Sequence, residues 1–388
     1  MITIWSPLYP QGVKISVRNP SNATSSNEPV IAPWKDLSKK LPHQTNAHIL
    51  LSDEKGKPCE FQIDDLDLDG TPDELVFVAD FTPNQTRSFT LSLTAKQIEG
   101  EEKPFRTDAQ NWKRVKGVLQ AVDDDDLAGN ARDRTAYRFD GVGWESEIVG
   151  YRLYLDGRNA VDIQGKRKPG LYWKWIGESG VDYQLDADWG MDVLHVGPSL
   201  GVGGIGFWVG DSVLKPLALD HQRCRVIARG PVRAVARVEY TGWDLGGEKV
   251  DVTSLFTICA GDRVCEHRVT LTKGTSPRTL VTGIVKHDST EVNWSPKEGC
   301  LFTIGRQSRA NDVLMMALTV RPSSVIRKSE DVSNELLLLK LAEDKPLSIL
   351  ISSYWQGENG KIWSNAETRE FLKAIGRRVN EPMKVKTH

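Results

Sequence analysis

Hydrophobic and polar residues alternate along most of this chain. In PVRAVARVEY, Val232, Ala234, Ala236, Val238 and Tyr240 share one face of an extended strand, while Arg233, Arg237 and Glu239 take the other. The short β-rich runs VKISVRN, HILLSD, ELVFVAD and SFTLSLTA, punctuated by Pro, Asn, Asp and Gly, predict a small β-sandwich over residues 1–97. IEGEEKPFRT then reads as a charged linker holding a Pro. Over residues 108–388, VDVTSLFTIC, CEHRVTLT, VLMMALTV, ELLLLKL and LSILISSYW continue the pattern. The fold class expected is therefore all-β: a large antiparallel β-sandwich, mutarotase-like in its size, behind a smaller N-terminal one.

Helix signals are few. AETREFLKAIGRR has Glu early, Arg late and Phe371 and Ile375 four apart, which predicts a C-terminal helix with Asn365 as its N-cap. PWKDLSKKL predicts a second, short helix. The run VDDDDLAGNARDR, with four consecutive aspartates, reads as a solvated loop.

Composition narrows the function. The chain has 388 residues, 39% hydrophobic and 26% charged, with a net charge of −2. That balance suits a protein with a sizeable core and gives no global reason to expect nucleic acid as a partner. No apolar run approaches a membrane span. The start, MITIWSPLYPQ, lacks the basic and apolar regions of a signal peptide, so the expectation is a cytoplasmic protein, or a periplasmic or secreted one whose signal was removed. Cys59, Cys224, Cys259, Cys265 and Cys300 are scattered, without a CxxC pair, and read as small buried hydrophobes.

Several motifs bear on chemistry. DLDLDGTPDE places Asp65, Asp67, Asp69 and Asp73 around Gly70, the spacing of a calcium-wrapping loop. Val76 stands where an EF-hand needs its acidic twelfth ligand, so the alternatives are a structural, non-EF calcium site or an ion-free Asx-rich turn. GVGGIG matches the dinucleotide spacing, but FWVGD follows it where a helix is required; a bend between strands is expected instead. His267 and His195 alternate with apolar residues and read as core. His221 and His287 each end a strand beside an Asp, a placement suited to acid–base work.

Two patches concentrate the polar and aromatic residues. YQLDADWGMD holds Tyr183, Asp186, Asp188, Trp189 and Asp192, and Trp144, Trp173 and Trp175 fall in the same central stretch. Aromatic faces beside carboxylates grip sugars, whose C–H surfaces stack and whose hydroxyls find acceptors. In GWESEIVGYRLYLDGRNAVDIQGKRKPG, Arg152, Tyr154 and Asp156 share a strand face, with Lys166, Arg167 and Lys168 nearby. An Arg fork suits a carboxylate, and a Tyr beside a cation can ionise more easily than a free phenol. A solvent-facing strand with a basic turn is the plainer alternative.

GWESEIVGYRLYLDGRNAVDIQGK and DADWGMDVLHVGPSLGVGGIG, with DGTPDELVFVADF and the helical C-terminus, resemble a family of β-rich proteins classed as a domain of unknown function. The family occurs in bacterial clusters that degrade polysaccharides, including uronate-rich ones such as ulvan. The resemblance implies an acidic-oligosaccharide partner and lyase or dehydratase chemistry. Relatives often carry a His beside the tyrosine of the second patch, where this chain has Gln184.

The function expected is a carbon–oxygen lyase acting by β-elimination at C4 of a uronate. Arg152, with Lys166 or a metal ion, would quench the sugar carboxylate, and Tyr154, Tyr183 or His287 would take the C5 proton. Trp144, Glu145, Lys166, Asp188, Trp189 and His221 would bind the substrate. The competing readings are a glycoside hydrolase using Glu145 with Asp188 or Asp192, a non-catalytic carbohydrate-binding protein, and a mutarotase-like epimerase.

Overall fold

A computed structural model describes residues 12–41, 48–94, 104–128, 136–275 and 277–388. The chain is mostly strand, every named strand pair is antiparallel, and the described residues contain three α-helices: α1 (Trp34–Ser38), α2 (Trp173–Ser179) and α3 (Asn365–Asn380). None of these helices is long and apolar enough to cross a membrane.

The chain forms two compact units. The first takes the described residues up to Phe105 together with Gly230–Val232 and Glu381–His388. It holds a four-stranded sheet in the order Lys384–Thr387, Val13–Arg18, Thr86–Thr94, His48–Ser52, and a three-stranded sheet of Ser25–Pro33, Glu74–Phe81 and Gln62–Asp64. The alternation seen in VKISVR is the packing pattern: Val13, Ile15 and Val17 are buried against Val30, Ala32, Phe77 and Phe89, and the residues between them face outward.

The second unit, Arg106–Arg229 and Arg233–Asn380, contains sheets of six, five and nine strands around one large apolar cluster. The nine-stranded sheet centres on Arg233–Asp244, Lys249–Cys259 and Val264–Lys273, whose inward positions supply Ala234, Ala236, Val238, Phe256 and Val269 to that core. His267 joins them with both ring nitrogens bonded, to Gly203 O at 3.0 Å and Ser254 Oγ at 2.9 Å. Burial pushes its pKa down to about 3, so it is a neutral core residue. His195, in contrast, is exposed.

Three local expectations need correction. Asp124–Ala128 is the edge strand of the nine-stranded sheet, because Arg223 pairs with Asp124 and Arg229 with Asp123, neutralising the aspartate run; residues 129–135 lie outside the described set. GVGGIG lies within the strand Val202–Val209 and the turn into it. Gly203 has φ +86°, and a Cβ there would come 2.3 Å from Ile351 Cδ1, so the glycine admits a close neighbour inside the sheet stack. Asn365 is the first residue of α3, and the reciprocal cap is Ser364 with Glu367, each accepting from the other's backbone N–H (3.2 and 2.9 Å). All five cysteines are free thiols, and four are buried.

Candidate active site: a buried polar sheet face

The six-stranded sheet runs Gly190–Asp192, Val161–Lys166, Val149–Tyr154, Tyr137–Ser146, Thr107–Val115, Val118–Ala121. Its two faces differ sharply. Trp144, Tyr151, Leu153, Val161 and Ile163 enter the apolar core. The opposite face carries two rows fixed by register: Gln110, Gly143, Arg152 and Asp162; then Asp108, Glu145, Gly150, Gln164 and Asp192. Every residue of Val149–Tyr154 and of Val161–Lys166 is buried, so this polar face is covered and the expectation of a solvent-facing strand fails.

The cover is the segment containing α2. Trp173 lies over Gly143 and Gly150; a Cβ would meet its ring at 2.5 Å at the first and its Nε1 at 3.1 Å at the second. Glu145 anchors the start of α2 by accepting from the backbone N–H groups of Tyr172 (2.7 Å) and Trp173 (2.8 Å). Trp173, Phe139, Tyr183, Trp189 and Ile176 close the layer as a second, aromatic cluster.

Within this layer Arg152, 2% exposed, gathers the tyrosines of both sequence patches. Its Nη1 donates to Tyr183 Oη at 2.8 Å, and its Nη2 donates to Tyr154 Oη, to Asp162 Oδ2 and, at 3.2 Å, to Asp192 Oδ2. Tyr154 Oη donates to Asp162 at 3.0 Å. Three further arginines surround the group. Arg309 reaches Asp192 at 3.5 Å, Arg158 lies 3.7 Å over the Tyr154 ring, and Arg138 lies 5.3 Å from the Tyr183 ring. All three are partly exposed.

The electrostatics separate roles. Burial, and then the neighbouring Asp162 charge with which it shares a hydrogen bond, push the Asp192 carboxyl up to about 8; Arg152 and Arg309 pull against them. That direction favours the protonated carboxyl, the form a general acid needs. Tyr154 is also pushed up, by burial first and by Asp162 second, which outweighs Arg152. The expectation that a cation beside Tyr154 would ease its ionisation is thus reversed.

The other expected residues are placed as follows. Lys166 is buried and spends its ammonium on Glu145, Ser146 O and Gly170 O, so it is closed to a substrate. Glu145, its partner, is fully buried; burial pushes the carboxyl up and the amine down, each partner pulling the other back. Trp144 is on the opposite face, stacked 4.3 Å from Phe256 and donating to Cys265 Sγ, so it meets no ligand on the polar face. Trp189 belongs to the cover, 5.2 Å from Tyr172 and 6.0 Å from the exposed Trp175. Asp188 is almost fully exposed beside Lys168. His287 is half-buried; burial and then His195 push its pKa down. No hydrogen bond, ion pair or ring contact among the described residues joins it to Arg152. His221 is exposed, 3.8 Å from Asp126, in a separate cavity of about 420 Å³ that Arg223, Glu239 and Asp251 also line.

In the first unit, Asp65, Asp67 and Asp73 bring one carboxylate oxygen each within 4.8 Å of the others, a set able to hold a hard cation; Asp69 stands outside it. The same carboxylates cap the turn. Asp65 accepts from the N–H groups of Leu68, Asp69 and Gly70, and Asp73 from those of Leu66 and Asp67.

Sequence reasoning missed Asp162 as a partner of Arg152, and it missed Arg138 and Arg309 altogether. Asp162 was findable, since strict alternation puts it on the face of Gln164 and Lys166. Arg138 and Arg309 arrive from distant segments, and nothing local marks them.

The family described as "Domain of unknown function (DUF4861)" matches residues 17–385. "Uncharacterized protein P7" of Formosa agariphila is 23% identical over 347 residues, covering 84% of this chain and 80% of that protein. Among solved structures, a protein in the glycosyl hydrolase family 38 from Enterococcus faecalis superposes with a TM-score of 0.50 at 10% identity, over 98% of this chain and 48% of its own. An alpha-mannosidase from Enterococcus faecalis gives a TM-score of 0.46 at 11% identity, over 97% and 46%. The chain spans about half the length of both solved structures, and what it shares with the first is the fold.

Proposed function

We propose that this chain, which belongs to the family of unknown function DUF4861, is a carbohydrate-active enzyme that eliminates a group from C4 of an acidic sugar. The observation that carries this reading is the convergence of Arg152, Tyr183 and Asp192, whose carboxyl burial pushes up, in one buried layer. Tyr183 takes the C5 proton; its oxygen accepts from Arg152 Nη1, a contact that a phenolate keeps. The C4–O bond breaks as the C4=C5 double bond forms, and Asp192 gives its proton to the departing oxygen. Arg138 and Arg309, partly exposed at the edge of the cluster, meet the sugar carboxylate and lower the cost of the enolate-like transition state. Arg152 is already matched by Asp162, so it orders the tyrosine and the acid instead of holding the substrate's charge.

A paired-carboxylate hydrolase fits this geometry less well. Glu145 is neutralised by Lys166 beneath α2, and Asp162 and Asp192 share a hydrogen bond, whereas glycosidase carboxylates stand about 5 Å or more apart. The test is incubation with a panel of uronate oligosaccharides under ultraviolet and mass monitoring. A new conjugated double bond is expected, with loss of water or with cleavage that takes up no water. Addition of water across a cleaved linkage, or an unchanged substrate throughout the panel, overturns the reading.

A further inference from the structure

One face of the first unit's four-stranded sheet carries charge that nothing on it balances. On Val13–Arg18 the odd-numbered valines and isoleucine are buried, and Lys14 and Arg18 point outward on either side of Ser16. The strand Lys384–Thr387 pairs with it in the register Ser16 to Lys386 and Arg18 to Lys384, which puts the exposed Lys384 and Lys386 on the same face. The strand on the other side adds hydroxyls: Thr86 opposite Arg18, Ser88 opposite Ser16 and Thr90 opposite Lys14. Strand geometry places these neighbours about 5 Å apart across the sheet and roughly 7 Å apart along it.

None of these four cations has an ion-pair partner among the described residues. The net charge of −2 means that the patch does not follow from a generally basic protein. Mutual repulsion makes such a face unfavourable alone and complementary to a line of negative charges. No aromatic stands at these positions to stack a base, and no helix projects from the strands to enter a groove, two devices by which bases are recognised. Serine and threonine hydroxyls in register with the cations suit a chain of sugar hydroxyls and carboxylates.

We infer that Lys14, Arg18, Lys384 and Lys386 form a docking face for a linear acidic polysaccharide, separate from the Arg152 layer. The choice of polymer rests on the acidic-sugar reading above; binding is measured apart from turnover, so the two can fail independently. The test compares the full chain with its Lys14→Gln/Arg18→Gln/Lys384→Gln/Lys386→Gln variant, by calorimetry against polygalacturonate over a salt series. The variant should bind at least tenfold more weakly at low salt, and the slope of log K against log salt should fall by about three. Turnover of short acidic oligosaccharides should stay unchanged. Equal polygalacturonate affinity in the two proteins overturns the inference. So does tighter binding of the unaltered chain to duplex DNA or to phosphatidylserine vesicles, which would assign the face to another polyanion. Retained binding by a chain that turns over no uronate would remove the catalytic reading and leave this one standing.

Discussion

Asp192→Asn is the substitution that most directly examines the site. The side chain is 1% exposed, and asparagine copies the shape of the protonated acid while removing its titration. The sign of the linkage follows from a folded-state pKa raised from 3.8 to about 8. Between those values the folded chain holds a proton that the unfolded chain has released, so stability is greatest at low pH and falls as pH rises toward 8. The full slope is about 1.4 kcal/mol per pH unit. Denaturant unfolding at pH 5, 6 and 7 should therefore show the unaltered protein losing roughly 1 kcal/mol per unit more than Asp192→Asn. In turnover, loss of a general acid should lower kcat about 10²–10⁴-fold with little change in KM. The alkaline fall in rate near pH 8 should vanish with it. A variant that keeps the same alkaline limb, or that retains kcat within a few-fold, would show that Asp192 neither titrates there nor donates the proton.

Three further outcomes are expected. Tyr183→Phe should lower kcat about 10²–10⁴-fold and Tyr154→Phe much less, because Tyr154 is held as a phenol; the reverse ranking in steady-state kinetics would move the base to Tyr154. Lys166→Met should cost about 3–5 kcal/mol in chemical denaturation, since it leaves Glu145 buried without its cation, and Glu145→Gln should recover much of the loss. Lost uronate affinity at unchanged stability would return Lys166 to the substrate. Asp65→Ala, which removes the acceptor of three backbone N–H groups, should lower the melting temperature equally in calcium and in chelator. A drop confined to calcium would make Asp65 an ion ligand first and a cap second.

The fold was legible because alternation is a local signal. PVRAVARVEY buries Val232, Ala234, Ala236 and Val238 as its period of two requires, and the C-terminal helix follows from its 3.6-residue stripe. Alternation misleads where both faces of a strand are covered. In YRLYLD, a polar face reads as exposed unless the covering segment is known, and that segment, α2 with the loop to Trp189, covers it only after the chain has turned back over Gly143 and Gly150. Arg152, Tyr154 and Tyr183 could be named in advance because Arg and Tyr are conspicuous in a strand. Their consequences could not. Asp162 takes the charge that Arg152 would otherwise offer, and whether Lys166 faces a ligand or Glu145 depends on a pairing across three strands.

That burial is itself an argument for function. Arg152, Asp162, Asp192, Gln164, Glu145 and Lys166 are each no more than 3% exposed, and taking such groups out of water costs several kcal/mol apiece before their pairing repays it. Apolar residues on the same strands would stabilise the sheet better, as the opposite face shows with Trp144, Tyr151 and Ile163. The Glu145–Lys166 pair has a structural return, because it fixes the start of α2. The Arg152 group has a smaller one: Asp162 and Asp192 accept the backbone N–H groups of Ile163 (2.7 Å) and Leu194 (3.3 Å), and Arg152 holds Tyr183 of the cover, while Arg152 Nε and Gln164 Nε2 are left without partners. A layer that sets one buried carboxyl against another, beneath partly exposed arginines, costs electrostatic free energy that an apolar face would not. Proton transfer at an anionic sugar is the chemistry that would use it.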